Sequence, residues 1–150
     1  MLGKKKMKKG IKIIIILSFI CLLVVFYLKF GPMNEYKRLS NYINLNYKGI
    51  VKDINNNSIE DAKIDVLYDD GTRVVIVETK VAGFISNSKY YGYIYSSNDK
   101  PFNPDPDGYE IDTTYLKEVD KNTWRRDMEG DNYTLVKRIR KNFFYYEVGL

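Results

Sequence analysis

Ala62-Lys63-Ile64-Asp65-Val66-Leu67-Tyr68-Asp69-Asp70-Gly71-Thr72-Arg73-Val74-Val75-Ile76-Val77-Glu78-Thr79 is the stretch on which the fold turns. Ala62, Ile64, Val66 and Tyr68 alternate with polar neighbours, the period of a half-buried strand. Asp69-Asp70-Gly71-Thr72 carries the residues of a tight hairpin turn. The second half, Arg73 to Thr79, is an apolar β-branched run, which predicts a partner strand buried on both faces.

Outward from this hairpin the same signals recur. Tyr47 to Asp53 alternates and predicts a strand, closed by the turn cluster Asn55-Asn56-Asn57-Ser58. Gly83-Phe84-Ile85 and Tyr91 to Tyr95 predict short strands. Ser96 to Asp107, with Pro101, Pro104 and Pro106, is a loop. Strand signals return at Tyr109 to Tyr115, weaken through Trp124, and resume at Tyr133 to Ile139 and at Phe143 to Val148. Gly130-Asp131 and Lys141-Asn142 are the expected turns. The expectation is a mainly β domain, a small β-sandwich or barrel, over 47–150.

The N-terminal part has a different character. Ile13 to Leu28 contains no charged residue, and Ser18 is its one clearly polar position. As a helix it would be about 24 Å long, with Lys12 and Lys29 able to snorkel beyond a slightly thicker hydrocarbon core. The expectation is a single transmembrane helix over 13–30, read as an uncleaved signal anchor. A cleaved signal peptide would want small residues at its cut, where Tyr27-Leu28-Lys29-Phe30 stands. A lipoprotein would want Cys21 at the end of the run rather than its middle. The basic segment 1–12 is then cytoplasmic, the protein sits in the cell membrane, and the β domain lies in the periplasm or outside the cell. Between them, 31–46 is a juxtamembrane spacer; Tyr36, Leu39, Tyr42 and Ile43 recur there at helical spacing.

Charge follows the same division. The net +5 of the chain comes from lysines around the apolar run; from Gly31 onward 17 Lys and Arg face 19 Asp and Glu. The domain therefore lacks the basic footprint of a nucleic-acid binder. With no histidine and one cysteine, the chain has no His-based triad, no intrachain disulfide and no ordinary zinc site. Heavy use of Lys, Ile, Asn and Tyr suggests an AT-rich bacterial genome.

Residues 49–85 and 107–109 resemble the carboxypeptidase regulatory-like domain, a transthyretin-related β-sandwich. Gly49, Val51 and Asp53 match its opening, Ala62, Ile64 and Val66 its next strand, Thr79, Gly83 and Phe84 its closing part, and Gly108-Tyr109 its late Gly-Tyr. The outline of lysine-rich anchor, Tyr47-x-Gly49-x-Val51, and Gly130-Asp131 followed by Lys137 also resembles uncharacterised small single-pass membrane proteins of Bacteroidetes-type bacteria. Both resemblances imply a non-enzymatic β domain.

Four sets of residues invite a functional reading. Asn103, Asp105, Asp107 and Gly108 sit at positions 1, 3, 5 and 6 of a calcium-loop pattern, but position 12 is Thr114 where a glutamate is needed. Lys137, Arg138, Arg140 and Lys141 form a basic cluster that strand alternation splits between two faces. Tyr90, Tyr91, Tyr93, Tyr95, Trp124, Phe143, Phe144, Tyr145 and Tyr146 read as core filler, with a binding surface as the alternative. Asp107 and Glu110 could pair as acid and base only inside a cleft. None supports a catalytic, cofactor or metal site. The expectation is a membrane-anchored, extracytoplasmic, non-enzymatic binding or structural module. It would touch the bilayer through 13–30 and an envelope protein or polymer through its domain. The alternative is a small-ligand or calcium-binding domain using the 98–112 loop.

Overall fold

The computed structural model describes residues 14–27, 32–83, 87–104 and 115–150, with side chains from Glu35 in the second helix. The chain divides into two compact units, Met1–Lys37 and Arg38–Leu150. In the first unit, residues 14–27 form helix α1, and its large apolar side chains, such as Phe19 and Leu22, are exposed. Those 14 described residues rise only about 21 Å, well short of a hydrocarbon core of about 30 Å. Among the described residues no helix is long and apolar enough to cross a membrane. The expectation of a transmembrane helix over 13–30 is corrected accordingly.

Helix α2 runs Pro32–Asn55. The strand expected at Tyr47 to Asp53 is therefore wrong. Leu39, Ile43, Ile50 and Ile54 are all buried, and half-buried Tyr47 fills the gap between them. Together they make a continuous apolar stripe at helical spacing, which outweighs the shorter period-two pattern of Tyr47, Gly49 and Val51. The Asn cluster is the helix stop. Asn57 adopts a left-handed φ of 52°, Ser58 N–H donates to the Asp53 carbonyl at 2.9 Å, and Asn57 N–H donates to the Ile54 carbonyl at 3.1 Å. This pair of bonds satisfies carbonyls that the helix end would otherwise orphan. Gly49 lies in mid-helix, exposed, with open space around a would-be Cβ. Gly49→Ala should raise stability by about 0.5–1 kcal/mol in a denaturant titration, since alanine loses less backbone entropy in a helix.

Seven strands follow: β1 Ala62–Leu67, β2 Arg73–Ala82, β3 Lys89–Ser96, β4 Lys117–Asp120, β5 Thr123–Asp127, β6 Tyr133–Arg140 and β7 Phe143–Gly149. They form one antiparallel sheet in the order β1-β2-β3-β7-β6-β5-β4. Neither the expected sandwich nor the expected barrel is formed: the described strands make one open sheet with edges at β1 and β4. Two meanders, β1–β3 and β4–β7, join at a central β3–β7 seam that pairs Tyr93 with Tyr145. The hairpin at Asp69-Asp70-Gly71-Thr72 forms as expected. Gly71 takes a φ of 80°, and Thr72 N–H donates to Asp70 Oδ1 at 2.8 Å.

Both faces of this sheet are covered, which is why Val74 to Val77 are buried without alternation. One face holds Val74, Ile76, Ile94, Val136, Phe144, Tyr146 and Val148, joined by Phe102 from the loop after β3. The other presents Val75, Val77, Tyr93, Phe143 and Tyr145, on the side that receives α2. A single sheet between a helix and a crossover loop thus does the work for which two sheets were expected. The loop itself is pinned. Arg138 hydrogen-bonds the Asp99 carboxylate, and Asp99 also accepts the Asn142 N–H at 2.6 Å.

Candidate functional site

A cleft of about 620 Å³ opens where α2, the α2–β1 connection and β2–β3 meet. Its floor is apolar: Leu39 and Ile50 from α2, Val77 from β2 and the Tyr93 ring from β3. Its rim is acidic. The helix C-terminus supplies Asp53, the following turn supplies Glu60 and Asp61, and β2 supplies Glu78. Glu78 is engaged by Lys63 at 2.9 Å. Asp53, Glu60 and Asp61 carry no ion pair among the described residues and are exposed.

Tyr93 links floor and rim. It is only 5% exposed, yet its hydroxyl makes no hydrogen bond among the described residues. Burial, with the charges of Tyr42, Asp61 and Asp53 adding to it, pushes this hydroxyl up to about 12. It therefore stays protonated at neutral pH and offers both an O–H and lone pairs to whatever enters. Ser58, also on the wall, donates instead to the Asp53 backbone carbonyl at 3.2 Å. Thr79, on the same wall, donates to the Tyr91 carbonyl at 3.3 Å. Among the described residues no group of three or more acidic, Cys or His side chains is close enough to hold a metal ion.

The residues singled out by sequence are scattered. The tyrosine bands are mostly core: Tyr91, Tyr93, Tyr145 and Tyr146 are buried, with Phe143 and Phe144, while Tyr90, Tyr95 and Trp124 are half-buried. The basic cluster is dispersed into structural contacts. Arg138 lies over the Phe144 ring at 4.8 Å, and Arg140 over the Tyr47 ring at 3.7 Å. Of the calcium-loop pattern, Asn103 is buried with its Oδ1 unpaired. Asp105, Asp107, Gly108, Glu110 and Thr114 lie outside the described residues. At the start of the 98–112 loop, a smaller opening of about 410 Å³ lies between Asn98, Phe102 and the β1–β2 turn.

Sequence reasoning missed the acidic rim. Its one available signal was Asp53, Glu60 and Asp61 flanking the Asn-rich stop, which becomes informative only once 47–53 is helical and the acids fall beside β2.

No family model, curated protein or solved structure matches the chain. The residues that resemble the carboxypeptidase regulatory-like domain fall on different elements. Gly49, Val51 and Asp53 are on α2, and Ala62, Ile64 and Val66 are on β1. Thr79 lies on β2 and Gly83 directly after it, while Phe84 and 107–109 lie outside the described residues.

Proposed function

We propose that this chain is a non-enzymatic binding module working at a bacterial membrane, and that its partner is held in the cleft between α2 and the sheet. The observation that carries the reading is Tyr93, whose ring is packed into the core while its hydroxyl, hydrogen-bonded to none of the described residues, stays accessible in a cleft with an excess of carboxylates. Packing of the ring fixes this hydroxyl at one point of the cleft wall, where it can donate to or accept from an incoming group without first giving up a partner within the protein. The membrane setting is supported by α1, whose exposed apolar surface is larger than isolated surface residues explain. Lysines precede it in sequence and suit anionic headgroups.

Two expected results test the two halves. The full chain should co-sediment with phosphatidylglycerol vesicles, and a chain lacking residues 1–31 should stay in the supernatant; equal sedimentation would sink the lipid contact. A photo-reactive residue at Tyr42, on the cleft rim, should cross-link an envelope component. The same group at exposed Lys121, on the β4–β5 turn, should not. Identical products from both positions would remove the cleft as the site.

A further inference from the structure

We infer that the cleft takes an alkylammonium ligand: a primary amine on an apolar stem, as in a lysine side chain or a free polyamine. This rests on the reading of the cleft as a binding site and specifies its chemistry. Three features select this class. The floor of Leu39, Ile50, Val77 and the Tyr93 ring is apolar and suits methylene groups rather than a bare ion. With Glu78 neutralised by Lys63, Asp53, Glu60 and Asp61 outnumber Arg38, the one cation of the lining, and leave net negative charge on the rim. Those acids do not converge enough to chelate a metal ion, so the complementary cation is an extended one whose charge meets separate carboxylates.

The Tyr93 hydroxyl supplies the directional contact. An ammonium group is donor-only and needs acceptors, and the phenol oxygen is one: it is accessible from the cleft, bonded to none of the described residues, and held in place by a packed ring. A neutral alcohol of the same shape would gain the floor but not the rim. An anionic ligand would meet the rim as repulsion.

The test titrates the full chain with spermidine and, separately, with a lysine-containing peptide, followed by calorimetry. Diacetylated cadaverine, which carries no ammonium, is the negative control. At least one of the two amines should bind at millimolar concentration or below, and the acetylated compound should not. Tyr93→Phe keeps the ring and should weaken binding about tenfold or more, the loss of one hydrogen bond to a charged donor. Asp53→Asn combined with Asp61→Asn, both at exposed positions that leave the core untouched, should weaken it about tenfold and flatten its salt dependence. Which amine binds identifies the source. Absence of binding by both amines, or binding unchanged in both variants, overturns the assignment. If the Tyr42 cross-link forms while spermidine and the peptide fail to compete with it, the binding reading stands and only the amine falls.

Discussion

Gly92→Ala should destabilise the protein by about 3 kcal/mol or more, lowering the denaturation midpoint without changing its slope. An added Cβ would lie 2.0 Å from the Val77 carbonyl oxygen and 2.7 Å from Cε1 of Tyr146. The first contact is with backbone in the neighbouring strand, and it cannot turn away. The second is with a ring only 3% exposed, whose hydroxyl burial pushes above its ordinary range. The site is also the worst place to yield. Gly92 pairs with Glu78 on β2 and Tyr146 on β7, beside the register shift between Glu78 and Lys80. Moving β7 opens the seam that joins the two meanders, and moving β2 breaks the pairing next to it. Adding Tyr146→Leu should recover only the smaller part of the loss, because the Val77 carbonyl stays in place. A loss below about 1 kcal/mol would show that the seam relaxes and the argument fails.

How much of this was legible beforehand depends on range. The β1–β2 hairpin, the double burial of β2 and the Lys141-Asn142 turn follow from neighbours within a few residues, and these were readable. Asn142 takes the left-handed φ of 68° that such a turn asks of it. The segment 47–53 was misread because its local alternation is a shorter signal than the stripe Leu39–Ile43–Tyr47–Ile50–Ile54, which needs sixteen residues to see. The single sheet was misread for another reason. Alternating strands specify that two faces are buried, not what buries them, and a helix and a crossover loop serve as well as a second sheet. The helix α1 was recognisable as apolar, but its length had to come from structure. The cleft was the least legible feature. Asp53, Asp61 and Tyr93 lie up to forty positions apart, and nothing about any one of them marks it. Their meeting depends on α2 stopping where Asn57 turns left-handed.

Glu147→Ala should cost about 2–3 kcal/mol, an effect that pattern reading also leaves unexpected in a strand as apolar as β7. Glu147 is 4% exposed. Its carboxylate accepts from the Tyr133 hydroxyl, from the Tyr145 hydroxyl at 3.1 Å and from Lys89 Nζ at 3.4 Å, while Lys89 also donates to the Tyr133 oxygen at 3.0 Å. The group ties β3, β6 and β7 together at one end of the seam. Alanine withdraws the shared acceptor and leaves Lys89 without its counter-charge; because Lys89 is about one-third exposed, solvent relieves part of that penalty. Glu147→Gln separates charge from shape, and it should lose roughly half as much, since an amide oxygen still accepts from one hydroxyl. Alkaline pH gives an independent readout. The hydrogen bond that Lys89 donates to the Tyr133 oxygen, with the Glu147 charge also contributing, raises Lys89, and burial with the hydrogen bond to Glu147 raises Tyr133. Both groups favour folding while protonated. Their stabilisation is fully present below the ordinary values near pH 10 and is lost as pH rises through the higher folded values. Stability should therefore fall above about pH 10 in the parent chain, and it should fall less steeply in Glu147→Gln, where both residues lose a cause of their upward shift. Parallel alkaline slopes in the two proteins would mean that the carboxylate does not hold these protons, and that β7 tolerates Glu147 for packing alone.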